Sequence, residues 1–283
     1  MQIIGDFLYR VFVFFHRMNI GRSTLSKDYK GKDFKVEIVL LTALGVGGAT
    51  VLGAVVGLLF KKTGKAANDA VMSLAAGIML AAAMLGLILP SLEYGGDFGV
   101  FVTIIGIFTG ALCVHFFDFL LIRFCRLPAL SSSEGGERLR GVIVFVAAIA
   151  IHNLPEGIAA GVGFGTGDVG NAIFIATAIA LQNIPEGMAV IVAMLGVGVR
   201  PWRTFLLAAM TGAIEVVGTF IGYFAVHISS AVLPFILALA GGSMLYVISD
   251  EMIPETHSRE GEHRAAYFIL LGFCIMLIMD AFI

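Results

Sequence analysis

The sequence predicts an all-α membrane protein of eight transmembrane helices built on an inverted repeat. Three observations carry this. The chain contains eight long apolar stretches, the Lys and Arg of its loops alternate between the two ends of those stretches, and one polar motif occurs twice on neighbouring stretches. Hydrophobic residues make up 59% of the 283 residues and charged residues 13%. The mean hydropathy of +0.97 exceeds what a soluble domain can bury. A β-barrel would show short alternating strands instead. The 35 Gly and 12 Met suit close-packed membrane helices. A net charge of −2 gives no basic surface for nucleic acid. Cys113, Cys125 and Cys274 form no C-x-x-C pair, disulfide framework or zinc knuckle, and the N-terminus does not read as a signal peptide.

A span needs about 20 mostly apolar residues. Taken in order, Ile38–Phe60 and Ala70–Leu89 carry no charge, and Phe98–Phe117 has only His115. The fourth span, Gly141–Gly163, contains His152 and Glu156. The fifth, Val169–Met194, contains Glu186, and the sixth, Thr204–Val226, contains Glu215. Ile228–Ser249 is uncharged, and Ala265–Ile283 has only Asp280. Loops after the odd-numbered spans hold eleven Lys/Arg and loops after the even-numbered spans hold none. Basic loops stay in the cytoplasm, so a multi-pass protein of the cell (inner or plasma) membrane with both termini outside is expected. Residues 1–37 form a separate N-terminal segment with seven Lys/Arg, against this orientation. Within it, residues 3–20 read as an interfacial amphipathic helix or an imperfect extra span. Residues 38–283 form the membrane domain.

The repeat is IHNLPEGIAAGV (Ile151–Val162) and LQNIPEGMAVIV (Leu181–Val192), 30 residues apart with N-x-P-E-G in common. Similar segments on antiparallel spans suggest an inverted repeat with a site near the membrane midplane. His152 and Glu156 are four apart and share a helix face, as do Gln182 and Glu186; Asn153 and Asn183 lie on the adjacent flank. Pro155 and Pro185 each remove a backbone bond and free the carbonyls of Ile151 and Leu181. One imidazole with carboxylates and amide oxygens suits a divalent transition metal better than calcium or magnesium. Glu215 adds a third buried carboxylate, so two adjacent cations can be balanced. A purely structural network is a poor rival. Polar bonds between membrane helices average about 0.6 kcal/mol, whereas a carboxylate at mid-membrane costs about 2.5–3.5 kcal/mol.

Weaker signals surround this set. Met79 is core filler or a thioether ligand. Glu93 and Asp97 lie at the turn after the second span, and His115 and Asp118 near the end of the third; each is a plain interfacial or solvated group, or, for Glu93 and Asp118, part of an entrance or exit. Asp280 is an interfacial charge or part of an entrance. The segment DEMIPETHSREGEH, with Asp250, Glu251 and His257, is a wet loop or a metal-receiving mouth.

With H-N-L-P-E-G on the fourth span and Q-N-I-P-E-G on the fifth, the chain resembles the ZIP family of divalent metal transporters. Glu215 and D-E-M-I-P-E-T-H point to its bacterial GufA-like branch. The resemblance covers about residues 38–283. It implies uptake of zinc, or of iron, cadmium, cobalt or manganese, into the cytoplasm through a two-metal midplane site. The metal is substrate rather than cofactor. The resemblance assigns His152, Glu156, Gln182 and Glu186 to a primary site with Met79 beside it. It assigns Asn153, Asn183 and Glu215, with shared Glu156 and Glu186, to a second. Asp250, Glu251 and His257 match an exit region, and Asp280 a polar position on the last span. Gln182 departs from the His of many relatives and Asn183 from the Asp of some; without that charge the second site should be weaker. The resemblance further implies an elevator-like shift of the first, fourth, fifth and sixth spans against the rest. Apart from metal ions and lipid, a homodimer is the partner this pattern allows. A selective metal channel is the alternative function. An intramembrane metalloenzyme is a poorer one, because H-E-x-x-H is absent.

Overall fold

The computed structural model describes residues 36–59, 65–124, 134–228, 230–257 and 262–282, all within the unit Lys35–Ile283. The N-terminal segment 1–35, with its expected interfacial helix or extra span, lies outside the described residues. The described residues are helical without strands, and eight of the helices are long and apolar enough to cross a membrane.

Four spans are uninterrupted on the side that carries the repeated motif. They are α1 (Val36–Leu59), α4 (Glu134–Gly163), α5 (Val169–Gly196) and α6 (Pro201–Ile228). Pro155 and Pro185 lie inside α4 and α5, and both helices continue through them. Ile228, expected to open the seventh span, instead closes α6. A 3-10 turn over Ser230–Val232 intervenes before α7 starts at Leu233.

The other spans are α3 (Gly99–Phe124), α8 (Glu262–Phe282) and two helices of mixed register. In α2, the α-helix Lys65–Ala81 gives way to a π-helical stretch, Ala82–Ile88, and resumes as Leu89–Tyr94. In α7, Leu233–Val247 passes through a π-helical stretch, Ile248–Met252, into Ile253–His257. Each π-helical stretch is followed by a proline at the second position of the next segment, Pro90 and Pro254. Proline has no N–H to offer, so it sits where the change of register has already interrupted the backbone ladder.

Lipid is as apolar as leucine, so helix association in a membrane rests on close packing between small residues. The packing separates the spans into sets. α4 lies chiefly on α6, and α1 on α5 and α6, while α3 lies on α7 and α2 on α8. An apolar cluster takes in Ala54, Val146, Val190 and Ala208 of α1, α4, α5 and α6. A larger cluster joins α4 and α5 to α2 and α7 through residues such as Ala160, Ile179, Leu87 and Met244. α3 and α8 are the least buried spans. The α4–α5 turn places Gly167 at φ 71°, a left-handed conformation that glycine tolerates. Asp168 then caps α5 by accepting from the amides of Gly170 at 2.8 Å and Asn171 at 3.3 Å.

Candidate metal site

Two glycines of the repeated motif explain how the site is assembled. A Cβ on Gly157 would lie 2.3 Å from the Glu215 carbonyl oxygen, and one on Gly187 would lie 2.1 Å from that of Thr50. The glycine after each motif glutamate therefore lets a neighbouring backbone, α6 in one case and α1 in the other, lie directly against it.

Around these joints the polar side chains of α4, α5 and α6 converge. His152, Asn153, Glu156, Gln182, Asn183, Glu186 and Glu215 are all buried. Gln182 Nε2 donates to Glu156 Oε1 at 2.7 Å. Glu215 Oε1 accepts from Asn153 Nδ2, and its Oε2 accepts from Asn183 Nδ2. Thr50 Oγ1 donates to Glu215 Oε1 at 2.7 Å, and Asn183 Nδ2 also donates to the Val46 carbonyl at 3.1 Å. The carboxyl groups of Glu156, Glu186 and Glu215 are close enough to interact electrostatically.

An ionised carboxylate only accepts hydrogen bonds, so each amide turns its nitrogen to a glutamate and its oxygen away. This leaves Gln182 Oε1, Asn153 Oδ1 and Asn183 Oδ1 buried without a hydrogen-bond partner; among the described residues Glu156 Oε2, His152 Nε2 and Asp118 Oδ1 are buried without one as well. Each unsatisfied buried polar group costs about 1–3 kcal/mol. One imidazole nitrogen with carboxylate and amide oxygens is a donor set that fits a divalent transition-metal ion.

His152 Nε2 lies 3.0 Å from Glu251 Oε1 and 3.9 Å from Asp118 Oδ1, at ion-pair distance from both. One ligand atom from each of Asp118, His152 and Glu251 falls within 4.8 Å of the others, a second grouping fit to hold a cation. The π-helical register of Ile248–Met252 carries Glu251 to this place. Glu186 interacts electrostatically with both His152 and Glu251, so the two groupings adjoin. At the opposite end of the helices, Tyr94 Oη donates to the Thr166 carbonyl at 2.8 Å and Asn171 Nδ2 to the Gly86 carbonyl at 3.3 Å. These bonds join α2 to the α4–α5 turn.

A sequence profile described as ZIP Zinc transporter matches residues 130–280. Zinc transporter GufA of Myxococcus xanthus is 34% identical over 247 residues, covering 85% of this chain and 97% of that protein. The chain belongs to the ZIP family. Zinc transporter ZIPB of Bordetella bronchiseptica is 36% identical over 82% of this chain and 77% of its own. Human zinc transporter ZIP11 is 39% identical over 53% of this chain and 45% of its own. The family is one of transporters rather than enzymes, and its members cross the membrane several times.

Among the other expected positions, Met79 is fully buried on α2, in the larger apolar cluster. Asp118, a candidate entrance or exit residue near the end of α3, lies with His152 and Glu251. Asp250 accepts from Tyr246 Oη at 3.3 Å, and Tyr246 in turn meets His115 Nδ1 at 2.9 Å. Glu93 is exposed at the end of α2 that carries Tyr94, and Asp280 is half-buried on α8. His257 closes the last segment of α7. Sequence reasoning missed Thr50, the partner that α1 supplies to Glu215. A signal for it existed, in the glycine spacing around it.

Proposed function

We propose that this ZIP-family chain carries divalent transition-metal cations, zinc foremost with iron, cadmium, cobalt or manganese as alternatives, into the cytoplasm. The relatives' printed activity supports the substrate class. The observation that carries the reading is the group of buried acceptors without partners on α4 and α5. His152, Glu156, Gln182 and Glu186 hold the ion at a primary position with Met79 behind it. Asn153, Asn183 and Glu215, with the shared Glu156 and Glu186, are the donors of a second, weaker position, since Asn183 brings no charge, and the primary position alone carries the transported ion. Glu93 and Asp280 gather cations at the outer end. Asp118 and Glu251, beside His152, receive the ion, and Asp250 and His257 pass it on. Loop Lys and Arg support an orientation with both termini outside.

Alternating access by an elevator-like movement of α1, α4, α5 and α6 is supported by how those helices pack, glycine to backbone among themselves. Towards α2 and α7 they present the smoother aliphatic side chains of the larger cluster. A divalent ion moved inward without a counter-ion gains about 4.6 kcal/mol per 100 mV, at 2.3 per charge. The test is zinc uptake by the purified chain in proteoliposomes. Saturable uptake that rises with an inside-negative potential is expected. Uptake no faster than in empty liposomes overturns transport, and uptake linear in zinc up to high concentration overturns a carrier in favour of a channel.

A further inference from the structure

The glycine contacts extend the internal repeat to a pair of helices whose sequences show no N-x-P-E-G. On α6, Gly212, Glu215, Gly218 and Gly222 have the same spacing as Gly47, Thr50, Gly53 and Gly57 on α1. The contacts correspond as well. A Cβ on Gly218 would meet the Leu154 carbonyl oxygen at 2.6 Å, and one on Gly53 the Ile184 carbonyl oxygen at 2.1 Å. A Cβ on Gly222 would meet the Ile158 carbonyl oxygen at 2.2 Å, whereas one on Gly57 would meet the Ile191 side chain first, at 3.0 Å, with the Met188 Cα at 3.2 Å. Leu154 and Ile184, and likewise Ile158 and Met188, are equivalent positions of the two motifs, 30 residues apart. Gly47 and Gly212 face each other reciprocally, at 2.4 Å and 2.5 Å from a new Cβ to the opposite oxygen. Thr50 thus stands where the repeat places the counterpart of Glu215.

The counterpart is also its partner. Thr50 and Glu215 are both at 0% exposure, and the Thr50 hydroxyl donates to Glu215 Oε1 at 2.7 Å. With the nitrogens of Asn153 and Asn183, Glu215 accepts from three donors. The two amide N–H groups, carrying partial positive charge, sit where a cation would otherwise neutralise the carboxylate. For an ion to bind between Glu215 and the asparagine oxygens, both amides must rotate and give up these bonds. The threonine bond survives that rotation, because Thr50 approaches from α1. Its backbone is pinned there by Gly187, whose Cβ would lie 2.1 Å from the Thr50 oxygen.

We propose that Thr50 is a positioning residue of the metal site. It fixes the Glu215 carboxylate, while the Asn153 and Asn183 amide nitrogens that occupy that carboxylate form an amide lock that keeps the second position closed, so this chain takes one ion at a time. The inference rests on the proposed function above, through the primary position alone.

The experiment is zinc binding to the purified full-length chain by equilibrium dialysis. The wild type is expected to bind one ion per chain. Asn183→Asp, which replaces an N–H donor by a second charge, is expected to bind two. In that background Thr50→Val should weaken the second ion about tenfold, the worth of a bond to a charged group, and leave the first in place. Thr50→Ser should restore the second. The retained first ion reports that each variant is folded. Two ions on the wild type, or one on Asn183→Asp, overturn the lock. A second ion indifferent to Thr50→Val overturns the role of Thr50. If even the wild type binds none, the metal-carrier reading fails instead.

Discussion

The half of the site built from α4 and α6 and the half built from α5 and α1 share their joints and differ in their chemistry. Gly157 against Glu215 has its match in Gly187 against Thr50. Yet the first half offers an imidazole and an additional carboxylate, and the second an amide and a hydroxyl. The backbone symmetry is that of an inverted repeat. In the proposed carrier, the chemical asymmetry would give the ion one end to leave by. His152 of the first half reaches Asp118 and Glu251, whereas Gln182, its counterpart, turns inward to Glu156.

The largest effects should come from the residues that the halves have in common. Glu156→Ala and Glu186→Ala each remove a charge from a buried donor set that must balance a divalent cation. Both are expected to abolish saturable zinc uptake in proteoliposomes at unchanged protein content. Wild-type uptake by either variant would mean that only one half carries ligands.

Next come the joints. Gly157→Ala and Gly187→Ala each drive a Cβ into a backbone oxygen of a neighbouring helix, and overpacking of this kind costs about 1–3 kcal/mol. Both should lower the melting temperature and the uptake rate, Gly187 at least as much as Gly157. Gly45→Ala, on α1 with nothing within 4 Å of the new carbon, should change neither. A tolerated Gly187→Ala would show that α1 and α5 are not held as α4 and α6 are.

Much of this architecture was legible because charge in a membrane is conspicuous. Glu156, Glu186 and Glu215 are each the sole carboxylate of an apolar run, and the N-x-P-E-G motif is specific enough to reveal its own repeat. Thr50 was not legible, because threonine is inexpensive in a membrane helix, where its hydroxyl can bond within its own helix. Its partner Glu215 lies 165 residues away. The matching glycine spacings on α1 and α6 were present in the sequence but resembled ordinary small-residue packing until the contacts aligned them. The π-helical stretches of α2 and α7 are changes of hydrogen-bond register with no composition of their own, although Pro90 and Pro254 mark their ends. Nor does spacing along the chain bring Asp118, His152 and Glu251 together; they come from three helices.

The smallest effect should come from making the halves more alike. Gln182→His places an imidazole opposite His152. Imidazole is a better ligand for zinc than an amide oxygen, so the bound ion is held more tightly. Gln182 also donates to Glu156, and a neutral imidazole that ligates through one nitrogen keeps a single N–H for that task. Tighter binding of the ion at rest, without equal stabilisation of the moving state, lowers KM and kcat together. A fall in both is expected. The converse change, His152→Gln, removes the nitrogen shared with Asp118 and Glu251 and should raise KM. Parallel zinc uptake curves for the two variants check this. Equal responses would mean that the halves are interchangeable, and opposite shifts in KM would show that the ion is held by ligands from both halves.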